Sequence, residues 1–266
     1  MGGLRLYFRY VGVSIRSQMQ YRASFLMLSI GQFLLTGIEF VAIWALFDRF
    51  GSLESWTLAE VALLYGMANV TFAITDGVAR GFDLFARQVR SGEFDRVLLR
   101  PRGTAFQVAA SEVQLMRIGR LAQGLAVLVW ALLSLEIAWD PAKGVLLVAA
   151  ILGGVGTFLG LFVLQATLAF WTTESLEIVN VVTYGGVETT QYPLEIYKRA
   201  FQRFFTFVVP LAFMNFVPAL AILGRVEGSG WPAWTPWISP LVGVVFLAIS
   251  LQVWRFGVRH YRSTGS

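Results

Sequence analysis

The chain has 266 residues, 56% of them hydrophobic and 14% charged, with 22 Phe and 9 Trp and a mean hydropathy of +0.65; a soluble domain is roughly a quarter charged, so these numbers exclude a soluble fold and specify a polytopic membrane protein. The absence of Cys excludes disulfide frameworks, thiolate metal clusters and cysteine nucleophiles, and the lone His260 excludes a multi-His site within one chain. The net charge of +5, carried by 19 Arg and 2 Lys, marks cytoplasmic loops that meet anionic lipid, not a nucleic-acid partner.

Residues 1–22 place Arg5, Arg9, Arg16 and Arg22 among Leu4, Leu6, Tyr7, Phe8, Tyr10, Val13 and Ile15. No basic segment followed by an apolar core and a small-residue cleavage site occurs here. The pattern predicts an amphipathic helix lying on the cytoplasmic surface, with rings in the headgroup layer and guanidinium groups on phosphates; a plain basic flank is the simpler reading. Residues 24–47 are an apolar run broken by Glu39, long enough to cross about 30 Å of hydrocarbon.

A second span covers 57–78, with Glu60 and Asp76 near its ends, where they and Arg80 can reach the interfaces. The stretch from Arg80 to Arg120 is the most charged in the chain. The third span, 105–138, continues a polar helix that begins near Thr104, and Asp140, Pro141 and Lys143 make a short turn. The fourth, 144–171, carries Gly153, Gly154, Gly156 and Gly160 at spacings that permit close helix contact. The last, 238–254, is followed by Arg255, Arg259, His260 and Arg262.

The middle is ambiguous. Residues 174–190 are short and moderately apolar, whereas 204–224 are almost wholly apolar but interrupted by Pro210 and Pro218. Hydropathy alone selects 204–224 as the fifth span. Either choice gives an all-α protein with six spans and both termini on one side. Most of the 21 basic residues fall on that side, so the positive-inside rule puts both termini in the cytoplasm.

The loop after the second span reads FDLFARQVRSGEFDRVLLRPRG from Phe82. Phe82, Phe85 and Val89 fall at helical spacing, with Arg87 and Arg90 facing elsewhere. The spacing predicts a short helix stopped near Gly92, with Phe94 exposed just beyond it and Arg100-Pro101-Arg102 ending the segment. A helix parallel to the membrane would transmit force from a soluble partner; a basic loop that merely sets topology is the alternative.

Arg90-x-Gly92-x-Phe94-Asp95-x-x-Leu98-x-Arg100-Pro101, followed by Gln107-Val108, resembles the integral-membrane permease of ABC-2-type exporters, and most closely the compact permeases without an ATPase domain of their own. A second match runs from Tyr184-Gly185-Gly186 through Tyr192-Pro193-Leu194, Phe204, Thr206-Phe207-Val208, Pro210 and Pro218-Ala219. The tail, Trp254-Arg255-Phe256-Gly257 with Tyr261 and Ser263–Ser266, fits as well.

The resemblance implies a dimer of permease subunits, identical or related, with two cytoplasmic ABC ATPases that bind ATP and Mg; this chain would hold no cofactor. It implies that a coupling helix at 82–96 docks on the ATPase, through Phe82, Phe85, Arg87, Arg90, Gly92, Phe94, Asp95, Arg96, Arg100 and Pro101. It also implies that 174–190 is span five and that 191–224, with Pro193 and Pro210, form re-entrant helices on the outer side. The expected location is a bacterial or archaeal cytoplasmic membrane. Consistent with nucleotide chemistry elsewhere, Gly153-Gly154-Val155-Gly156 is followed by Thr157 and Phe158 and has no phosphate-binding Lys.

Glu39 within the first span is either a translocation-path residue that shapes substrate charge preference or a structural carboxylate between helices. Trp231, Trp234 and Trp237, interleaved with Pro232, Pro236 and Pro240, read as an aromatic belt, with a substrate-stacking site as the alternative. The expected function is the permease subunit of an ATP-driven exporter, without catalytic residues; a membrane anchor that recruits an ATPase without translocation is the runner-up. An intramembrane enzyme lacks a convergent residue set, and an ion-driven carrier would show inverted repeats that are not evident. The substrate class stays open among drugs, peptides, lipids and polysaccharides.

Overall fold

The computed structural model describes residues 3–172 and 176–261. The start of the expected 174–190 span, at Glu174, and the tail from Arg262 to Ser266 lie outside the described residues. Those residues are helical or irregular, with a single isolated bridge between Leu53 and Trp56. The protein is an all-α polytopic membrane protein, and five of its helices are long and apolar enough to cross a bilayer.

Two helices precede the core. α1 (Gly3–Met19) and α2 (Arg22–Phe50) are separated by a turn at Tyr21. α2 is apolar on all sides and buries only Thr36, Ile43 and Phe47. Such a helix belongs against lipid or another chain. α3 (Leu58–Asp83) is its opposite, buried along nearly its whole length. A capping box starts it: Glu60 N donates to Thr57 Oγ1 and Thr57 N to Glu60 Oε2 at 2.8 Å.

α3 runs five residues past the expected end at 78, through a kink at Ala79, and hands the chain to α4 (Phe85–Arg90). Gly92 turns left-handed at φ 68° and opens α5 (Glu93–Leu98). Two short helices therefore stand where one was expected, because only glycine adopts that backbone without strain.

The expected single element at 105–138 is also divided. α6 (Thr104–Ser111) ends in extended residues 112–114, and after a short 3-10 turn α7 (Ile118–Ser134) begins. The break is held from α1. Gln18 Nε2 donates to the Val113 carbonyl at 2.6 Å and its Oε1 accepts from Leu115 N at 3.0 Å, while Ser14 Oγ donates to the same carbonyl at 3.1 Å. Opposite, Gln114 N donates to the Gly77 carbonyl at 3.2 Å. Side chains thus satisfy backbone groups that a continuous helix would satisfy itself.

α8 (Pro141–Leu168) starts with Asp140 as N-cap, its Oδ1 accepting from Lys143 N at 2.7 Å. It packs along α12 (Thr235–His260) through facing glycines, where a Cβ on Gly243 would run into the Gly153 carbonyl oxygen. α9 (Leu176–Thr190) packs against both α3 and α8, which also pack directly on each other.

The segment from 191 to 224 is broken. α10 (Arg199–Arg203) continues as a π-turn over Phe204–Val208, and after Pro210 the chain re-forms as α11 (Phe216–Ile222). The two apolar arms, Arg199–Val208 and Leu211–Ile222, meet at 77°. At about 1.5 Å per residue neither arm alone crosses about 30 Å. Asn215 fastens the break: Nδ2 donates to the Leu64 and Thr190 carbonyls, and Oδ1 accepts from Phe216 N at 2.7 Å. Irregular backbone in a membrane protein survives where protein covers it, and α11 is buried throughout.

Candidate functional site

Three layers of chemistry lie along α3. The lowest is the α4–α5 end. Phe85 and Phe94 are both 0% exposed, which corrects the expectation that Phe94 projects outward. Their rings meet edge to face at 4.9 Å, and Phe94 also contacts Phe170 at 5.5 Å and Tyr261 at 5.0 Å. Trp254 closes the cluster against Phe82 at 5.5 Å and Phe85 at 4.9 Å, with its Nε1 donating to Thr104 Oγ1 at 2.9 Å. Each such ring pair adds about 0.5–1.5 kcal/mol beyond its burial. The aromatic residues of the loop clamp it to the ends of α8 and α12.

What remains outside is basic. Arg87, Arg90, Arg96, Arg100, Pro101 and Arg102 are exposed, while Gly92 and Asp95 are half-buried. Leu98 is exposed too, and Leu99 is 85% exposed. This pair was missed as a contact surface, although two leucines directly before Arg-Pro-Arg were a visible signal. An apolar tip ringed by arginines suits an acidic, partly apolar partner surface.

The middle layer is an ion-pair network. Asp76, expected near the end of its span where its carboxylate could reach an interface, is 0% exposed and enclosed by protein. The kinked helix carries on past it, and two arginines enclose its carboxylate. Arg117 Nε lies 2.7 Å from Asp76 Oδ2, and Arg80 Nη1 lies 3.2 Å from Oδ1. The first contact is close without being aligned as a hydrogen bond. Arg80 Nη1 also approaches Asp83 Oδ2 at 2.8 Å and donates to Tyr184 Oη at 2.8 Å. Arg117 Nη1 donates to Gln32 Oε1 at 3.0 Å, and Gln165 links Asp83 at 3.1 Å to Thr183 at 3.3 Å. Helices α2, α3, α8 and α9 are thereby tied, with the residue just before α7, at one level.

The third layer, about two turns further up α3, is less complete. Arg120 on α7 donates from Nε to Asn69 Oδ1 at 2.8 Å, and its guanidinium sits 4.8 Å from the Phe72 ring centroid. Its Nη2 is buried with no hydrogen-bond partner. Glu39 of α2 and Glu188 of α9 both act electrostatically on this guanidinium. Both carboxylates are exposed, and neither forms an ion pair or hydrogen bond among the described residues. Tyr65 belongs to the same group and donates to the Thr36 carbonyl at 2.6 Å. Glu188 was not singled out from the sequence, because nothing local marks it as a neighbour of Glu39.

The other expected residues flank this layer. Gly185 faces open space, whereas a Cβ on Gly186 would press on Leu211 at 2.7 Å. Tyr192 is half-buried, Pro193 opens the 3-10 turn Leu194–Ile196, Pro210 sits at the bend and Pro218 is buried in α11. Near the start of α3, Glu60 pairs with Arg225 at 2.9 Å, and Arg225 lies 5.1 Å over Trp56. Trp234 and Trp237 are exposed, while Trp231 packs on Phe213 at 5.6 Å. On α1, the Tyr7 hydroxyl donates to the Val78 carbonyl at 3.2 Å, and burial pushes its phenol pKa up. Among the described residues no His, Asp and Glu gather into a metal site.

A family model described as "ABC-2 family transporter protein" matches residues 33–265. No curated protein and no solved structure matches the chain.

Proposed function

We infer that this chain, which belongs to the ABC-2 transporter family and is a membrane permease component of an ABC transporter, forms one half of the translocation path of an ATP-driven exporter. Family membership associates it with ABC ATPase partners. In this reading two permease subunits, identical or related, stand over two cytoplasmic ATPases that bind ATP and Mg. Both termini are cytoplasmic, α1 lies on the inner surface, and α10–α11 form the outer re-entrant element. The host membrane is a bacterial or archaeal cytoplasmic membrane.

The observation that carries the reading is the exposure of Glu39, near the middle of α2, together with that of Glu188, close to the end of α9. An ionised carboxylate facing lipid at the depth of Glu39 costs about 2.5–3.5 kcal/mol on insertion scales. Such a face belongs against water or a second subunit, and a path between two permeases supplies both. Below it, the arginine-ringed Leu98–Leu99 tip docks on the ATPase. Motion of α4 and α5 reaches α9 through Asp83, Arg80 and Tyr184, and α9 carries Glu188 one turn above Tyr184.

The test is purification in mild detergent followed by mass analysis of what accompanies the chain. A soluble ATPase is expected with the wild type, and Leu99→Asp combined with Arg100→Glu releases it from a protein that still elutes as a single folded species. Recovery of the chain alone, or an ATPase unaffected by those changes, contradicts the docking assignment. ATPase recovery without ATP-driven transport of any cargo would leave a membrane anchor.

A further inference from the structure

We propose that the groove between α6, α8 and α12 holds one anionic phospholipid of the adjoining leaflet, with its phosphate on Arg255 and an acyl chain along the apolar walls.

The groove is a cavity of about 440 Å³, within the range of small-molecule sites, about 300–1,000 Å³. The buried Phe82 and Trp254 line it at one end, where Trp254 Nε1 donates to Thr104 Oγ1 at 2.9 Å and pins α12 to α6. Ala105 and Ala109 stand one turn apart on α6 and leave room, because their side chains stop at Cβ. Along α12, Leu247, Leu251 and Arg255 follow at four-residue intervals, so one wall is apolar for about 12 Å and then turns cationic.

Arg255 is the only charged residue lining the groove among the described residues. It is exposed, and the hydrogen bond from its Nη1 reaches a neutral acceptor, Gln252 Oε1, at 3.3 Å. No ion pair engages it among the described residues, and α12 contains no Asp or Glu to supply one. A guanidinium carries a fork of donors suited to phosphate, and here that capacity is unused.

The order of polarity decides the occupant. α12 is long and apolar enough to cross a bilayer and becomes basic at Arg255, Arg259 and His260, so Arg255 marks the boundary between hydrocarbon and headgroups. A phospholipid presents the same order, chains and then phosphate, in the same direction. A soluble anion would gain nothing from the apolar length. A peptide would bring backbone polar groups into a groove that offers them few partners. Basic pockets between membrane helices are a recurrent mode of anionic-lipid recognition. Assignment to the inner leaflet rests on the cytoplasmic placement of the termini proposed above, whereas the site itself does not. Phe82 and Trp254 also belong to the aromatic cluster that clamps α4 and α5, so the bound chain packs against that clamp.

The test places the assembled transporter in nanodiscs of phosphatidylcholine with a minor share of phosphatidylglycerol, matched in acyl chains and present in both leaflets. Native mass analysis then counts the lipids that stay bound. The wild type should retain one phosphatidylglycerol per chain, enriched about fivefold over its bulk share, the factor that one arginine near an anionic headgroup supplies. Arg255→Gln should remove the enrichment and Arg255→Lys should keep most of it. Arg22→Gln, at an exposed position on α2 outside the groove, should leave it unchanged. Ala109→Met narrows the groove and should lower retention of both lipids alike. Arg255 is exposed, so its variants decide the matter even where the wall variant fails to fold.

Equal retention of the two lipids, or enrichment that survives Arg255→Gln, overturns the site. Retention unaffected by narrowing the groove marks lipid of the general bilayer shell and overturns it as well. Reversed topology would move the site to the other leaflet and leave the expected enrichment in place, so failure of the orientation reading and failure of the site are distinguishable.

Discussion

The Asp76 network and the Glu39–Glu188 face use the same side-chain chemistry to opposite ends. In the first, every charge has a partner within 3.2 Å and the carboxylate at its centre is shut away from the surface. In the second, charges from α2, α7 and α9 come into electrostatic reach without closing on one another, and the carboxylates stay open. Paired burial fixes helices against each other. Unpaired exposure in the same membrane has no structural benefit to offset its cost, so it points to something that arrives from outside the chain.

This contrast predicts a steep gradient of mutational effects. Asp76→Asn strips the negative charge from between Arg80 and Arg117. Breaking a buried pair from one side costs about 3–5 kcal/mol, so the variant should lose most of its monodisperse, folded fraction in detergent melts. A melt close to wild type would mean that the network does not hold the bundle. Arg120→Gln should fall between, at about 1–3 kcal/mol, from loss of a charge-assisted hydrogen bond to Asn69. A loss as large as that of Asp76→Asn would place Arg120 in the structural network instead. Glu39→Gln and Glu188→Gln should leave the melt unchanged while altering transport. A pronounced destabilisation by either would show that the carboxylate is a helix-packing group.

Much of this fold was legible from sequence because hydrocarbon imposes simple rules. Long apolar runs must be helices, and the runs at 24–47, 57–78, 144–171 and 238–254 lie within α2, α3, α8–Thr172 and α12 apart from small shifts at their ends. What stayed hidden depends on distant partners. The break at 112–114 is made by Gln18, far away in the chain. Phe94 looked exposed because Phe170, Trp254 and Tyr261 reach it only after folding. Glu39 was visible as a charge inside an apolar run, but its companion Glu188 sat at the end of a weak segment, and only tertiary structure joins them. The bend between the arms of 199–222 was signalled by Pro210, whereas the Asn215 bonds that fix it were not.

The central claim is that the face bearing Glu39 and Glu188 lines a water-accessible path and does not meet lipid. The chain has no native Cys, so single cysteines report their surroundings directly. Gly185→Cys adds a side chain into open space beside Glu188, and Ile249→Cys places one on the outward, 57% exposed side of α12. A charged methanethiosulfonate reagent applied to the assembled transporter in membrane vesicles should modify the cysteine at 185 much faster than the one at 249, with ATP altering the rate at 185. Equal, slow modification at both positions, unaffected by ATP, would contradict the account.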